Sequence, residues 1–358
     1  MSTATKLISA SGGGGAFELP EHLALVYQTV SGTSQNTIHR VYHESGTLLA
    51  SKIGNYGSTT AYAIPSGGYG RVYSAASNVS QAYVYEEVGG TNLGWVQKTY
   101  RYNSYPGLNR QYIWLNETTF MYNNGSDIWD ITADTGNTST TTQMPAHNGE
   151  AVQKVISAIS YKGTLYAVIS TGTSSPYKIK LYSFDGTTWT YLQTLDTNHT
   201  SIQVGQPVFD YEKSEVYFTS GTSTAWKVSL KSPTSASTKY TLPGYLIVYN
   251  NGLFYGSTNS SGSTLYTSSS IDTPAGSWTT VGSWGDPGFS YPDVITTKNR
   301  IWMHRGYSTF TKYDYYDIPT NTFGGLISVT YSNNATGLAD FMTPVSTAEY
   351  GFSISPTY

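Results

Sequence analysis

Chemistry in this chain has to be assembled from few reactive groups. Six arginines, Arg40, Arg71, Arg101, Arg110, Arg300 and Arg305, are the only guanidinium groups that could clamp an anionic ligand. Arg71 and Arg300 stand at the starts of predicted strands, and Arg101 and Arg110 flank one loop, so nothing makes three of them converge. Cleaving a glycosidic bond takes two carboxyl groups roughly 5–9 Å apart. Glu86 and Glu87 are neighbours on a predicted strand and point to opposite faces, as do Asp127 and Asp130 on a regular strand. His39 and His43 would share one face of a helix, but on a strand rising about 3.3 Å per residue they stand roughly 13 Å apart. His22, His147, His199 and His304 are isolated in sequence and read as surface or hydrogen-bonded side chains. No nucleophile elbow or dinucleotide fingerprint occurs, and Gly67-Gly68-Tyr69-Gly70 leads into a strand rather than the helix that phosphate binding needs. These residues assign no catalytic group, no metal and no cofactor.

Binding equipment is more visible. Rigid aromatic rings beside Pro, Gly and a charge can stack on a sugar face or anchor a protein partner. The longest predicted connections are 101–110 (RYNSYPGLNR), 143–153, 195–206 and 283–292 (SWGDPGFSYP). The ligand-binding candidates are therefore Tyr102, Tyr105 and Arg110 on the first, and Trp284 and Tyr291 on the last, beside Phe289. Asp286 and Asp293 are the carboxylates to which a glycan-cleaving reading would turn.

The elements that carry these loops are strands. From Tyr161 to Leu195 three alternating runs, 165–170, 178–184 and 188–195, are separated by TGTSSP and DG, the pattern of an antiparallel meander. An aliphatic or Thr followed by an aromatic recurs at Tyr27, Tyr73, Phe120, Tyr166, Tyr217, Phe254 and Trp302. A second aromatic follows in each unit, at Tyr42, Tyr85, Trp129, Tyr182, Trp226, Tyr266 and Tyr315. The repeat is roughly 45 residues, which is what four short strands and their turns occupy. The expected fold is all-β, a β-propeller of about seven four-stranded blades with eight left open. Strands near Ala339–Pro344 and Ala348–Ser355 are expected to complete the sheet begun near Leu23 and so close the ring. Residues 1–20 form a flexible Gly-rich arm around the Gly12–Gly15 tetrad, and 21–358 form the propeller.

Composition narrows the classes further. Charged residues make up 11% of the 358, against roughly 25% in ordinary soluble domains, so hydroxyls and amides must cover the surface. A net charge of −3 gives no footprint for nucleic acid or an anionic membrane. With no cysteine there is no disulfide framework and no thiolate site. The N-terminus lacks the apolar run of a signal peptide, and no stretch approaches the roughly 18 apolar residues of a membrane span.

The segment YSFDGTTWTYL, 182–192, resembles the strand, tight turn, strand unit of kelch-like and Asp-box propellers, and SSSIDTPAGSWTTV, 268–281, resembles an Asp-box with two extra residues before its Gly. The Gly-rich arm, the absence of cysteine, the low charge and the Tyr/Ser/Thr/Asn-rich β pattern make the chain similar to virion propeller proteins of tailed bacteriophages, of the tail, fibre or head-decoration type. That resemblance implies a non-enzymatic virion component, made in the host cytoplasm without a signal peptide. It would join other virion proteins through its arm in a homo- or hetero-oligomeric assembly, and its loops would face a host-surface glycan or protein. A free-standing carbohydrate-binding lectin and a sialidase-like glycan-degrading enzyme are the alternatives.

Overall fold

The computed structural model describes residues 19–352 except 32–33, 55–62, 70, 77–80, 89–91, 100–111, 124–126, 134–138, 201, 203–204, 221–222, 259–263, 285–293, 308–309, 331–340 and 345–349. Most of the arm therefore lies outside the described residues. No described helix is long and apolar enough to cross a membrane.

The strands come in sets of four, each strand pairing antiparallel with the next. The first set begins with three, β1 (His22–Ser31), β2 (Ser34–His43) and β3 (Leu48–Gly54). Blade 2 is β4 (Ala63–Gly68), β5 (Arg71–Ala76), β6 (Gln81–Val88) and β7 (Asn92–Thr99). Blade 3 is β8 (Tyr112–Asn116), β9 (Thr119–Asn123), β10 (Ile128–Ala133) and β11 (Ser139–Gln143). Blade 4 is β12 (Val152–Tyr161), β13 (Thr164–Thr171), β14 (Tyr177–Phe184) and β15 (Trp189–His199). Blade 5 is β16 (Val208–Asp210), β17 (Glu215–Ser220), β18 (Thr224–Ser229) and β19 (Thr238–Thr241). Blade 6 is β20 (Tyr245–Asn250), β21 (Leu253–Ser257), β22 (Thr264–Ser268) and β23 (Thr279–Ser283). Blade 7 is β24 (Val294–Thr296), β25 (Arg300–Tyr307), β26 (Phe310–Asp317) and β27 (Thr322–Thr330).

Two short strands near the C-terminus finish the ring. β28 (Phe341–Pro344) pairs with β1, Leu23 opposite Pro344 and Val26 opposite Phe341, and becomes the innermost strand of blade 1. The fold is a seven-bladed β-propeller, as the repeat predicts. The last strand departs from expectation: β29 (Tyr350–Phe352) does not join the sheet of blade 1. Instead it pairs with β12 of blade 4, Ile159 opposite Phe352, and with β4 of blade 2, Gly351 opposite Gly68. With β28 in place the inner edge of β1 is taken, and the free edges left for a further strand are those of the other innermost strands, which face the axis.

The repeated aromatics fall on matching strands. The first set falls on the second strand of each blade and the second set on the third strand. Trp114, Trp129, Trp226 and Trp302 are fully buried, as are Tyr85, Tyr122, Tyr182, Tyr217 and Tyr255. Apolar clusters occupy successive blade junctions: Trp129 and Ile169 between blades 3 and 4, Ile179 and Trp226 between 4 and 5, Tyr217 and Phe254 between 5 and 6, and Trp302 with Leu23 between 7 and 1. A four-stranded sheet cannot bury both its faces alone, so each blade is stable only between its neighbours. The two motif segments behave as turns. Asp185 Oδ1 accepts hydrogen bonds from the Thr187 and Thr188 amides at 2.8 Å, with Gly186 at φ 101°. In the other, Trp278 Nε1 donates to the Thr273 carbonyl at 3.1 Å.

Candidate functional site

One blade junction carries a polar level above its apolar core. Directly opposed residues in an antiparallel sheet share a face. In blade 4 Lys154 lies opposite Ser170, Ser170 opposite Ile179, and Ile179 opposite Asp196, so one row crosses all four strands. Ile179 packs in the cluster that holds Phe218 and Trp226, which turns this row toward blade 5. On the facing sheet Ser220 lies opposite Thr224 and Thr224 opposite Thr241, one row above Phe218, Trp226 and Lys239. Below, the junction is apolar; at this level it is lined by an amine, hydroxyls and a carboxylate. The level is the end of the propeller where β15 and β17 finish and β12 begins, the end that carries the inter-blade connections.

At its outer side the slot holds three groups in series. His199 Nε2 is 3.3 Å from Ser220 Oγ, and His199 Nδ1 is 3.7 Å from Asp196 Oδ2. Lys239 Nζ holds the same Asp196 oxygen at 2.6 Å, and the Asn198 amide donates to the other at 2.9 Å. Ser220 and His199 are 2% and 6% exposed. The imidazole stands edge-on to Trp226, ring centres 5.0 Å apart. Burial lowers the His199 pKa, only partly countered by the Asp196 charge, so the ring is neutral at pH 7. Burial would raise the Asp196 pKa, but the bonds from Lys239 and Asn198 outweigh it, and the net shift is downward. A neutral imidazole between a hydroxyl and a carboxylate is the arrangement of a general base acting on a serine. The 3.7 Å gap exceeds a hydrogen bond, a spacing familiar where such contacts tighten only with substrate present.

Gly205 fixes the two sheets at this height. Its amide donates to the Ile156 carbonyl of β12 at 3.0 Å, and a Cβ added to it would come within 3.0 Å of the Thr219 carbonyl and hydroxyl oxygens on β17. Only a residue without a side chain fits between them.

The opposite face of blade 4 is polar in a different way. Glu150 accepts from Lys180 at 2.7 Å and from Lys178, which together pull its pKa down to about 2, and Lys180 also donates to the His147 carbonyl at 3.1 Å. His147 stacks on Tyr191 with ring centres 3.5 Å apart. Both ammoniums share the Glu150 carboxylate, and the group ties the connection before β12 to the sheet.

The sequence-predicted ligand residues fare differently. Trp284 is buried, 6% exposed, in the junction of blades 6 and 7 with Val248, Tyr255 and Ile301, its ring edge-on to Phe323. The expectation of an exposed stacking ring is corrected: a large aromatic at the end of β23 gains more from the apolar gap beside it than from solvent. Tyr102, Tyr105, Arg110 and Tyr291 lie outside the described residues, as do Asp286 and Asp293. His199, isolated in sequence and read as a surface or hydrogen-bonded side chain, is the latter: its Nε2 meets Ser220 Oγ, with Asp196 on its other side. The signal was the Asp196/His199 pair at the start of the long connection 195–206, but Ser220 comes from the next blade and had no local mark. Among the described residues no group of three or more His, Asp or Glu could hold a metal ion.

No family model matches the chain, and no curated protein matches it in sequence. Solved structures do resemble it in fold. A Bacteroides uniformis protein with the provisional name 6-phosphogluconolactonase is 13% identical with a TM-score of 0.54, over 90% of this chain and 100% of that one. The periplasmic gluconolactonase of Pseudomonas aeruginosa is also 13% identical, TM-score 0.51, over 94% and 100%. The β-propeller domain of the Trilobed protease of Pyrococcus furiosus is 9% identical, TM-score 0.51, over 87% and 95%. At such identities the likeness shows the propeller fold. The expectation of a non-enzymatic virion component is corrected on these names, two of which are lactonases, while the likeness itself extends to the fold alone.

Proposed function

We propose that the chain is a hydrolase that opens small hydroxylated lactones in the slot between blades 4 and 5. The observation that carries this reading is the series Asp196, His199, Ser220, with the imidazole 3.3 Å from the hydroxyl. The lactonase names of propellers similar in fold support the substrate class.

In the mechanism Ser220 Oγ attacks the lactone carbonyl carbon while His199 Nε2 takes the hydroxyl proton. Asp196 holds the ring orientation and stabilises the imidazolium that forms. When the ring C–O bond breaks, His199 returns that proton to the departing alkoxide, which stays tethered as a hydroxyl of the acyl-enzyme. A water molecule, deprotonated by the same nitrogen, then releases the hydroxy acid and restores Ser220. With both residues nearly dry, the proton moves in a setting where charge interactions are strong.

The test is hydrolysis of δ-gluconolactone followed in a pH-stat, with the uncatalysed rate subtracted. Ser220→Ala and His199→Ala are expected to lose activity by about a hundredfold or more. A wild-type rate in Ser220→Ala would reject the assignment.

A further inference from the structure

The inner end of the same slot holds a lysine with no counter-charge among the described residues. Lys154 is half-buried on β12, and among the described residues its ammonium makes no hydrogen bond or ion pair. Other sheltered lysines of the propeller are matched: Lys180 by Glu150 at 2.7 Å, Lys227 by Glu215 at 3.8 Å. On the same strand Ser157 is fully buried, and among the described residues its hydroxyl has no partner. Ser157 lies opposite Val168, a member of the blade 4/5 cluster, so it faces the same way as Lys154. The register of β12 breaks on both sides of this stretch, between Val152 and Lys154 and between Val155 and Ser157. Such bulges re-aim side chains and are frequent beside binding sites. Across the slot Gly205 brings β12 against β17, one residue before Ser220.

The geometry points to Lys154 and Ser157 as a subsite for the carboxylate of a small hydroxy acid. An unmatched ammonium and an unmatched donor, both sheltered, lack one thing: an anion with acceptor oxygens. A single ammonium with neutral hydroxyls matches a singly charged carboxylate better than a doubly charged phosphate. Burial lowers the Lys154 pKa, and a bound carboxylate would reverse that shift. The choice of ligand rests on the lactonase reading, since a hydroxycarboxylate is the product of that reaction.

Titration calorimetry of the full chain with sodium gluconate tests the site, with glucose as the neutral control and inorganic phosphate as the competing anion. Lys154→Met is expected to weaken gluconate about tenfold or more while melting like wild type, Lys154→Arg to retain binding, and Ser157→Ala to lose a few fold. Equal gluconate affinity in wild type and Lys154→Met, or no gluconate binding by wild type, would overturn the subsite. Phosphate binding tighter than gluconate in a Lys154-dependent manner would overturn the carboxylate assignment. Lysine-dependent gluconate binding without lactone hydrolysis would sink the enzymatic reading and leave the subsite standing. Hydrolysis lost in Ser220→Ala with binding indifferent to Lys154 would do the reverse.

Discussion

Tyr69, in the turn after β4, places its hydroxyl 2.8 Å from Ser160 Oγ on β12, so blade 2 reaches past blade 3 to blade 4. The same phenol accepts the Gly163 amide at 3.2 Å, and Ser160 donates to the Leu115 carbonyl of blade 3 at 2.8 Å. Three blades meet through one hydroxyl pair. Tyr69→Phe keeps the ring and removes the link, leaving sheltered partners unmet. It should cost about 1–3 kcal/mol in urea unfolding. A change below a few tenths would mean that the contact is replaced by water without loss.

Gly205 sets the gap between blades 4 and 5. Gly205→Ala forces a methyl group against Thr219 backbone, and overpacking of this kind costs about 1–3 kcal/mol. Because Ser220 is the next residue, lactone hydrolysis is expected to fall further than stability at a temperature where the variant is still folded. Unchanged melting and unchanged rate together would show that β12 and β17 part easily.

Acid should weaken the fold before any carboxylate titrates. His39 is completely buried beside Trp95, ring centres 5.2 Å apart, and burial takes its pKa from 6.5 down to about 3. The folded state keeps the ring neutral while the unfolded chain binds a proton. Stability is therefore full above about pH 6.5 and declines as pH falls toward 3, by at most about 1.4 kcal/mol per pH unit. His22 and His199 are shifted the same way and add to the slope. Urea midpoints measured from pH 7 to 4.5 should fall less steeply for His39→Leu than for the parent chain. Parallel curves would place the acid sensitivity elsewhere.

The rate profile carries its own signature. In the proposed reaction His199 is the neutral base, and its pKa is lowered by burial. The acid limb of kcat/KM for δ-gluconolactone should therefore lie below the ordinary imidazole value, near 6.5. Asp196→Asn removes the charge that partly offsets burial, so the limb should move to still lower pH while the maximum rate drops. Movement of the limb to higher pH would contradict the assigned pair.

The architecture was legible because its signal is periodic. The aromatics predicted for the two middle strands, from Tyr27 to Trp302 and from Tyr42 to Tyr315, fall on the second and third strands of all seven blades, since both strands must fill the gaps beside them. The destination of β29 was not legible, because three residues bridging the innermost strands of blades 2 and 4 obey no repeat. The site was harder still. Asp196 and His199 share a segment, but their relation to Ser220 depends on how two sheets stack, and Lys154 shares their slot only through the register of four strands. Trp284 misled for a related reason: Pro and Gly nearby describe a loop, while the ring itself answers to the neighbouring blade.

The pairing of Leu23 with Pro344 also dictates an order of events. A ribosome delivers Leu23 early and Pro344 late, so the nascent first blade waits with a bare inner edge while local hairpins such as that of Thr164–Phe184 can already zip. Closure is then the slow, non-local step, and an interrupted chain would emerge as an open arc with an adhesive strand at its beginning.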